Sequence, residues 1–126
     1  MPHRHAAVWI DHREARIFHV GPDAFDEATV RAPHRHVHRH PTVTAEHDHP
    51  ADAARFYHDA AHALADAEEI LVVGPGTAKL ELIKHIHEHE HALASKIVGV
   101  ETVDHPTNGQ LVAYVRGYFR AADRMR

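Results

Sequence analysis

The segment that most narrows what this chain can fold into spans residues 69–119. Four consecutive apolar residues, Ile70, Leu71, Val72 and Val73, end at the breaker Gly74-Pro75-Gly76. A helical stretch, a second apolar strand at Ile97, Val98, Gly99 and Val100, and another helical stretch follow. A continuous apolar strand is the pattern of a strand buried on both faces, and strands that alternate with helices pair in parallel through crossovers. The expectation is an α/β fold. At 126 residues the chain fits one domain, long enough to bury a core without disulfide or metal staples.

Upstream, residues 7–10 and 15–20 are short apolar-rich runs around Asp11-His12-Arg13-Glu14, the pattern of an antiparallel hairpin. Gly21-Pro22-Asp23 breaks the chain, and residues 27–31 can supply a third strand. Over residues 33–50 the composition turns to His, Arg, Thr and Pro, which describes a loop or extended arm. Residues 52–67 are rich in helix formers, with Ala54, Tyr57, Ala61, Leu64 and Ala65 predicted on the apolar face. In the next helix Leu82, Ile83, Ile86 and Leu93 fall on one side and Glu81, Lys84, His85 and Glu88 outside it, with a break predicted at residues 89–91. Thr107 and Gln110, just before the last helix, have the spacing of a capping box.

Cysteine is absent, which excludes disulfides, thiolate zinc sites and cysteine nucleophiles together; a transition-metal site must rest on imidazole and carboxylate. The formal charge of -4 counts 17 histidines as neutral. Because an ordinary imidazole titrates near pH ~6.5, the net charge climbs steeply in mild acid. No apolar run approaches the roughly 20 residues of a spanning helix, and residues 1–5 lack the apolar core of a secretory signal. The expectation is a soluble cytoplasmic protein with no membrane partner. Composition leaves the oligomeric state open, a homodimer included.

Three pieces of sequence point to a family. Val8-Trp9-Ile10-Asp11 and Ala15-Arg16-Ile17-Phe18 form the hairpin, Gly74-Pro75-Gly76 precedes a helix bearing Lys79, and Val98-Gly99-Val100-Glu101-Thr102-Val103-Asp104 is a later strand with an acid near its end. Together they resemble the middle domain of archaeal and eukaryotic class-1 peptide-chain release factors and of Pelota, and more closely the short stand-alone bacterial relatives known as translational machinery proteins. The resemblance implies a ribonuclease-H-like mixed sheet that opens with an antiparallel hairpin and continues β-α-β-α, with the ribosome or RNA as partner. Release factors carry a Gly-Gly-Gln, whose glutamine promotes peptidyl-tRNA hydrolysis, between the third strand and the first long helix. Residues 33–50 stand there in this chain, and Asn108-Gly109-Gln110 opens the last helix instead, where capping accounts for Gln110. Peptidyl-tRNA hydrolysis is not expected, and the implied role is a non-catalytic accessory one.

Two further patterns carry chemistry. His34, His36, His38 and His40 alternate with other residues, so an extended chain places their imidazoles on one face, with His47 and His49 as further donors for zinc or nickel. A mobile histidine tract also binds metal adventitiously, and the fold itself requires no cofactor. His85, His87, His89 and His91 pair at i and i+4 on separate sectors of a helix, which reads as a hydrophilic face rather than one site. Arg31, Arg35 and Arg39 make a basic arm, and Arg116, Arg120 and Arg124 recur every fourth residue on the last helix. Both can bind RNA phosphates, and both are equally at home as solvated surface. Asp11, Glu14 and Asp104 invite comparison with a nuclease carboxylate cluster, but the constellation is incomplete. The sequence therefore supports a ribosome- or RNA-associated translation accessory, with a histidine-based metal-binding or pH-responsive protein as the alternative.

Overall fold

Two apolar-rich strands open the fold, β1 at His5–Ile10 and β2 at Glu14–Val20, paired antiparallel with Ile10 opposite Ala15. The turn between them is closed by its own side chain: Asp11 Oδ1 accepts the backbone N–H groups of Arg13 at 2.8 Å and Glu14 at 2.9 Å. A third strand, β3 at Phe25–Arg31, continues the meander antiparallel to β2; it starts two residues before the stretch predicted to form it. Nearly all of β3 is exposed, and Asp26, Glu27 and Arg31 place charge along this sheet edge, which discourages pairing with another chain.

The computed structural model describes residues 5–33 and 50–124. Within them β4 (Glu69–Gly74) lies parallel to β1, and β5 (Ile97–Thr102) parallel to β4, giving a five-stranded mixed sheet of order β3-β2-β1-β4-β5. Ile70, Leu71, Val72 and Val73 are fully buried, as the unbroken apolar run requires. Strand alternation sorts them into two layers. Ile70 and Val72 face α1 (Pro50–Ala63) and α2 (Ala78–His89) together with Ala6, Val8 and Ile10. Leu71 and Val73 face α4 (Asn108–Arg124) together with Ala7 and Trp9. The architecture is a single small α/β domain, a mixed sheet with helices on both faces.

Two local details differ from the sequence expectation, and a third agrees with it. The buried face of α1 is Phe56, Tyr57, Ala60, Ala61 and Leu64, while Ala54 and Ala65 are exposed; the bulky Phe56 turns the helix by about one position to reach the sheet. The regular helix also stops at Ala63 rather than 67, because Leu64 and Ala65 bond back to Ala61 and His62, the tighter three-residue spacing common at helix ends. The break predicted near residues 89–91 falls at Glu90, whose φ of -134° and ψ of 64° are not helical, and a short α3 (His91–Ala94) carries the buried Leu93.

The capping box forms as its spacing predicts. Thr107 Oγ1 accepts the Gln110 backbone N–H at 3.1 Å, and Gln110 Oε1 accepts that of Thr107 at 3.0 Å. Gln110 is thereby committed to starting α4. The loop before it is pinned by Trp9, whose buried indole Nε1 donates to the Asp104 carbonyl at 2.6 Å, and by Arg16, which lies 4.4 Å over the Trp9 ring and donates to Pro106 O at 3.2 Å and Asn108 Oδ1 at 2.6 Å.

Candidate functional site

Helices α1 and α2 lie side by side on one face of the sheet. Their core residues point down, which leaves the residues flanking the seam to line a shallow groove of Ala54, Arg55, His58, Asp59, His85 and His89. His85 was expected on the outer face of its helix. It is instead half-buried, because α1 packs against that flank of α2 and covers it. Its ring lies 4.6 Å from that of His89, the i, i+4 partner, and 6.2 Å from that of Tyr57. The second expected pair, His87 and His91, is divided between α2 and α3 by the break at Glu90.

That break has a consequence for the groove. It returns Glu90 toward α1, where Glu90 Oε2 lies 3.5 Å from His58 Nδ1. One donor atom each from His58, His85 and Glu90 then falls within 4.8 Å of the others. The Nε2 atom of His85 is buried and has no hydrogen-bond partner among the described residues. Burial, and after it the neighbouring charge of His89, holds the His85 imidazole below its ordinary value of 6.5.

The sign of the resulting pH effect follows from linkage. A histidine with a depressed native pKa stays neutral in the folded chain while the unfolded chain takes up a proton near pH 6.5, so stability is lost as the pH falls through 6.5 toward the native value. We expect the urea midpoint of the wild type to drop more steeply below about pH 6.5 than that of His85→Gln, measured by far-UV circular dichroism. Parallel midpoint curves for the two proteins would remove His85 from the account.

The other singled-out residues are placed differently. Arg31 sits at the β1–β2 turn end of the sheet, 3.3 Å from Glu14 Oε1. Arg116 is half-buried at the opposite end, its Nε donating to Gly21 O at 3.3 Å, and Arg120 beyond it is exposed. The length of β2, about 20 Å for seven residues, separates these two basic regions. Arg124 belongs to α4, but its side chain lies outside the described residues, as do Arg35, Arg39 and the six histidines His34, His36, His38, His40, His47 and His49.

The acids named beside the hairpin are taken up locally. Asp11 closes its turn, Glu14 pairs with Arg31, and Asp104 Oδ1 contacts His105 Nδ1 at 2.8 Å. Among the described residues their oxygens do not converge within reach of a common ion. Lys79 is buried and donates to Gly76 O at 2.6 Å, so its charge closes the strand-to-helix turn behind Gly74. A contact that no local pattern signals joins Glu81 to both Tyr57, at 2.8 Å, and His12, at 3.2 Å. Burial raises the Glu81 carboxyl, but the bonds from Tyr57 and His12 outweigh it and leave the group below its usual range.

Comparison with known proteins places this geometry. No sequence-family model matches the chain, and no curated protein matches it by sequence. Solved structures do. Pelota of Thermoplasma acidophilum superposes with a TM-score of 0.61 at 19% identity, over 89% of this chain and 31% of that one. The fold is Pelota-like. The archaeal translation termination factor aRF1 superposes with a TM-score of 0.57 at 13% identity, over 96% of this chain and 38% of its own. Dom34 of S. cerevisiae, a translation termination-like factor involved in RNA quality control pathways and interacting with Hbs1, gives 0.54 at 15% identity, over 79% and 29%. The chain thus spans about a third of the length of these proteins. At such identities the likeness establishes the fold, a release-factor and Pelota type of domain, and site chemistry has to be argued from the residues themselves. Among the described residues no helix is long and apolar enough to cross a membrane.

Proposed function

We propose that this protein is a non-catalytic accessory factor of translation that associates with ribosomes or RNA in the cytoplasm. The observation that carries the reading is the likeness of the whole described fold to Pelota and to aRF1, a translation termination factor. The sequence holds no Gly-Gly-Gln, and its nearest look-alike, Gln110, is engaged in capping α4. We therefore assign it no peptidyl-tRNA hydrolysis. Contacts to phosphate would come from Arg31, Arg35 and Arg39 ahead of α1 and from Arg116, Arg120 and Arg124 on α4, two separate groups that would each grip a different part of the nucleic acid.

The test is co-sedimentation of untagged, metal-stripped protein with ribosomes at low and moderate salt. Binding is expected to weaken steeply as salt rises. The triple substitution of Arg31, Arg35 and Arg39 by alanine should flatten the log-log salt slope by roughly one unit for each phosphate contact removed. No binding to ribosomes or RNA at low salt would sink the proposal.

A further inference from the structure

We propose that His58, His85 and Glu90 form a site for a zinc-class divalent metal ion that clips α1 to the junction between α2 and α3. Its donors are other residues than the histidines of the 34–49 tract, and it is independent of the translational reading.

Three observations on different elements converge on it. Two imidazoles and a carboxylate bring one donor atom each within 4.8 Å of the others. Ligands held about 2.0–2.1 Å from a tetrahedral zinc stand roughly 3.3 Å from one another. The 3.5 Å between His58 Nδ1 and Glu90 Oε2 already has that spacing, and small rotations of His85 would close the remainder. The second observation is the buried Nε2 of His85, which has no partner among the described residues. A buried nitrogen without a bond weakens the fold, and a metal bond would remove that cost. The third is the chain break at Glu90. An unbroken helix would carry residue 90 on around α2, whereas the break turns its carboxylate back to His58 on the neighbouring helix.

The donor set selects the ion. Imidazole nitrogen with a single carboxylate suits zinc, nickel, copper(II) or cobalt and is poor for magnesium or calcium, which require mostly oxygen. Three protein donors leave a fourth position, which water or the adjacent His89 would complete from the groove. Bridging two helices would make the ion a reinforcement of the fold: a ligand that binds the folded chain and not the unfolded one raises its melting temperature.

The experiment uses the full, untagged, metal-stripped chain in which His34, His36, His38, His40, His47 and His49 are all replaced by glutamine. Isothermal titration with zinc chloride is expected to find one tight equivalent per chain, zinc should raise Tm, and cobalt should give the visible absorption of a four-coordinate site. Adding Glu90→Gln, or separately His85→Gln, should weaken zinc binding by about 100-fold, at least the cost of losing an outer-sphere partner. Each should also abolish the Tm increment while far-UV circular dichroism stays unchanged. If the six replacements do not leave a folded protein, the comparison is made in the wild-type chain, where Glu90→Gln should remove one zinc equivalent. Loss of tight zinc binding on replacing the six histidines alone in a folded chain, or equal zinc binding with and without Glu90, would overturn the proposal.

Discussion

Gly74→Ala is expected to destabilise the protein by about 3 kcal/mol, at the upper end of what overpacking costs. Gly74 ends β4 where β4 runs against β1, and a Cβ built there falls inside the van der Waals radius of the Ile10 carbonyl oxygen. Neither neighbour can yield cheaply, since both are backbone atoms in paired strands. The requirement is one of space, because no glycine here has a positive φ. Gly76, two residues on, has nothing within 4 Å of its Cβ position, so Gly76→Ala is the control and should change stability by less than about 1 kcal/mol in either direction. Urea unfolding followed by the fluorescence of Trp9, the single tryptophan, reads both variants. Equal midpoints for Gly74→Ala and the wild type would show that the strands can spread at this point and that the close approach is not required.

Trp9→Ala should cost more, about 4 kcal/mol, from the range found for emptying a large aromatic site in a core. Trp9 is 1% exposed and packs against Leu111, Val112 and Val115 of α4 through the second core layer. Its indole N–H also holds the Asp104 carbonyl, and its face carries the Arg16 guanidinium, so the same substitution frees the loop that leads into α4. Trp9→Phe keeps most of the packing and loses the hydrogen bond, and should cost about half as much. Thermal or urea unfolding followed by circular dichroism distinguishes the two, since the fluorescence probe is removed in both. If Trp9→Phe proved as damaging as Trp9→Ala, the hydrogen bond to the loop rather than core volume would be the dominant contribution.

Both residues lie in segments whose fold was legible from the chain alone, and both owe their importance to contacts that were not. The double-sided burial of residues 70–73 could be read from an unbroken apolar run, and the parallel pairing from strands alternating with helices. That Gly74 must be glycine depends on which strand lies beside it. That Trp9 must reach residue 104 depends on the loop that follows β5.

The candidate site divides in the same way. The four histidines of residues 85–91 were visible as two i, i+4 pairs, and the chain break near them was legible in the change of pattern. Their outward assignment was wrong for His85, because the covering surface belongs to α1, a helix far from it in sequence. The face of α1 itself was misjudged by one position: alanines fit either side of a helix, and Phe56 decided the matter only once it had a sheet to pack on.

The sequence by itself determined the class of fold, the order of its elements, the hairpin and the capping box of Thr107 and Gln110, because periodicity and caps are settled by residues within about four positions of each other. Only the tertiary structure decided the meeting of His58 with His85 and Glu90, the bridge from His12 through Glu81 to Tyr57, and the separation of Arg31 from Arg116. Those depend on how two crossover helices settle side by side on a twisted sheet. Packing of that kind is set by the volumes of side chains far apart in sequence, and no local pattern records it.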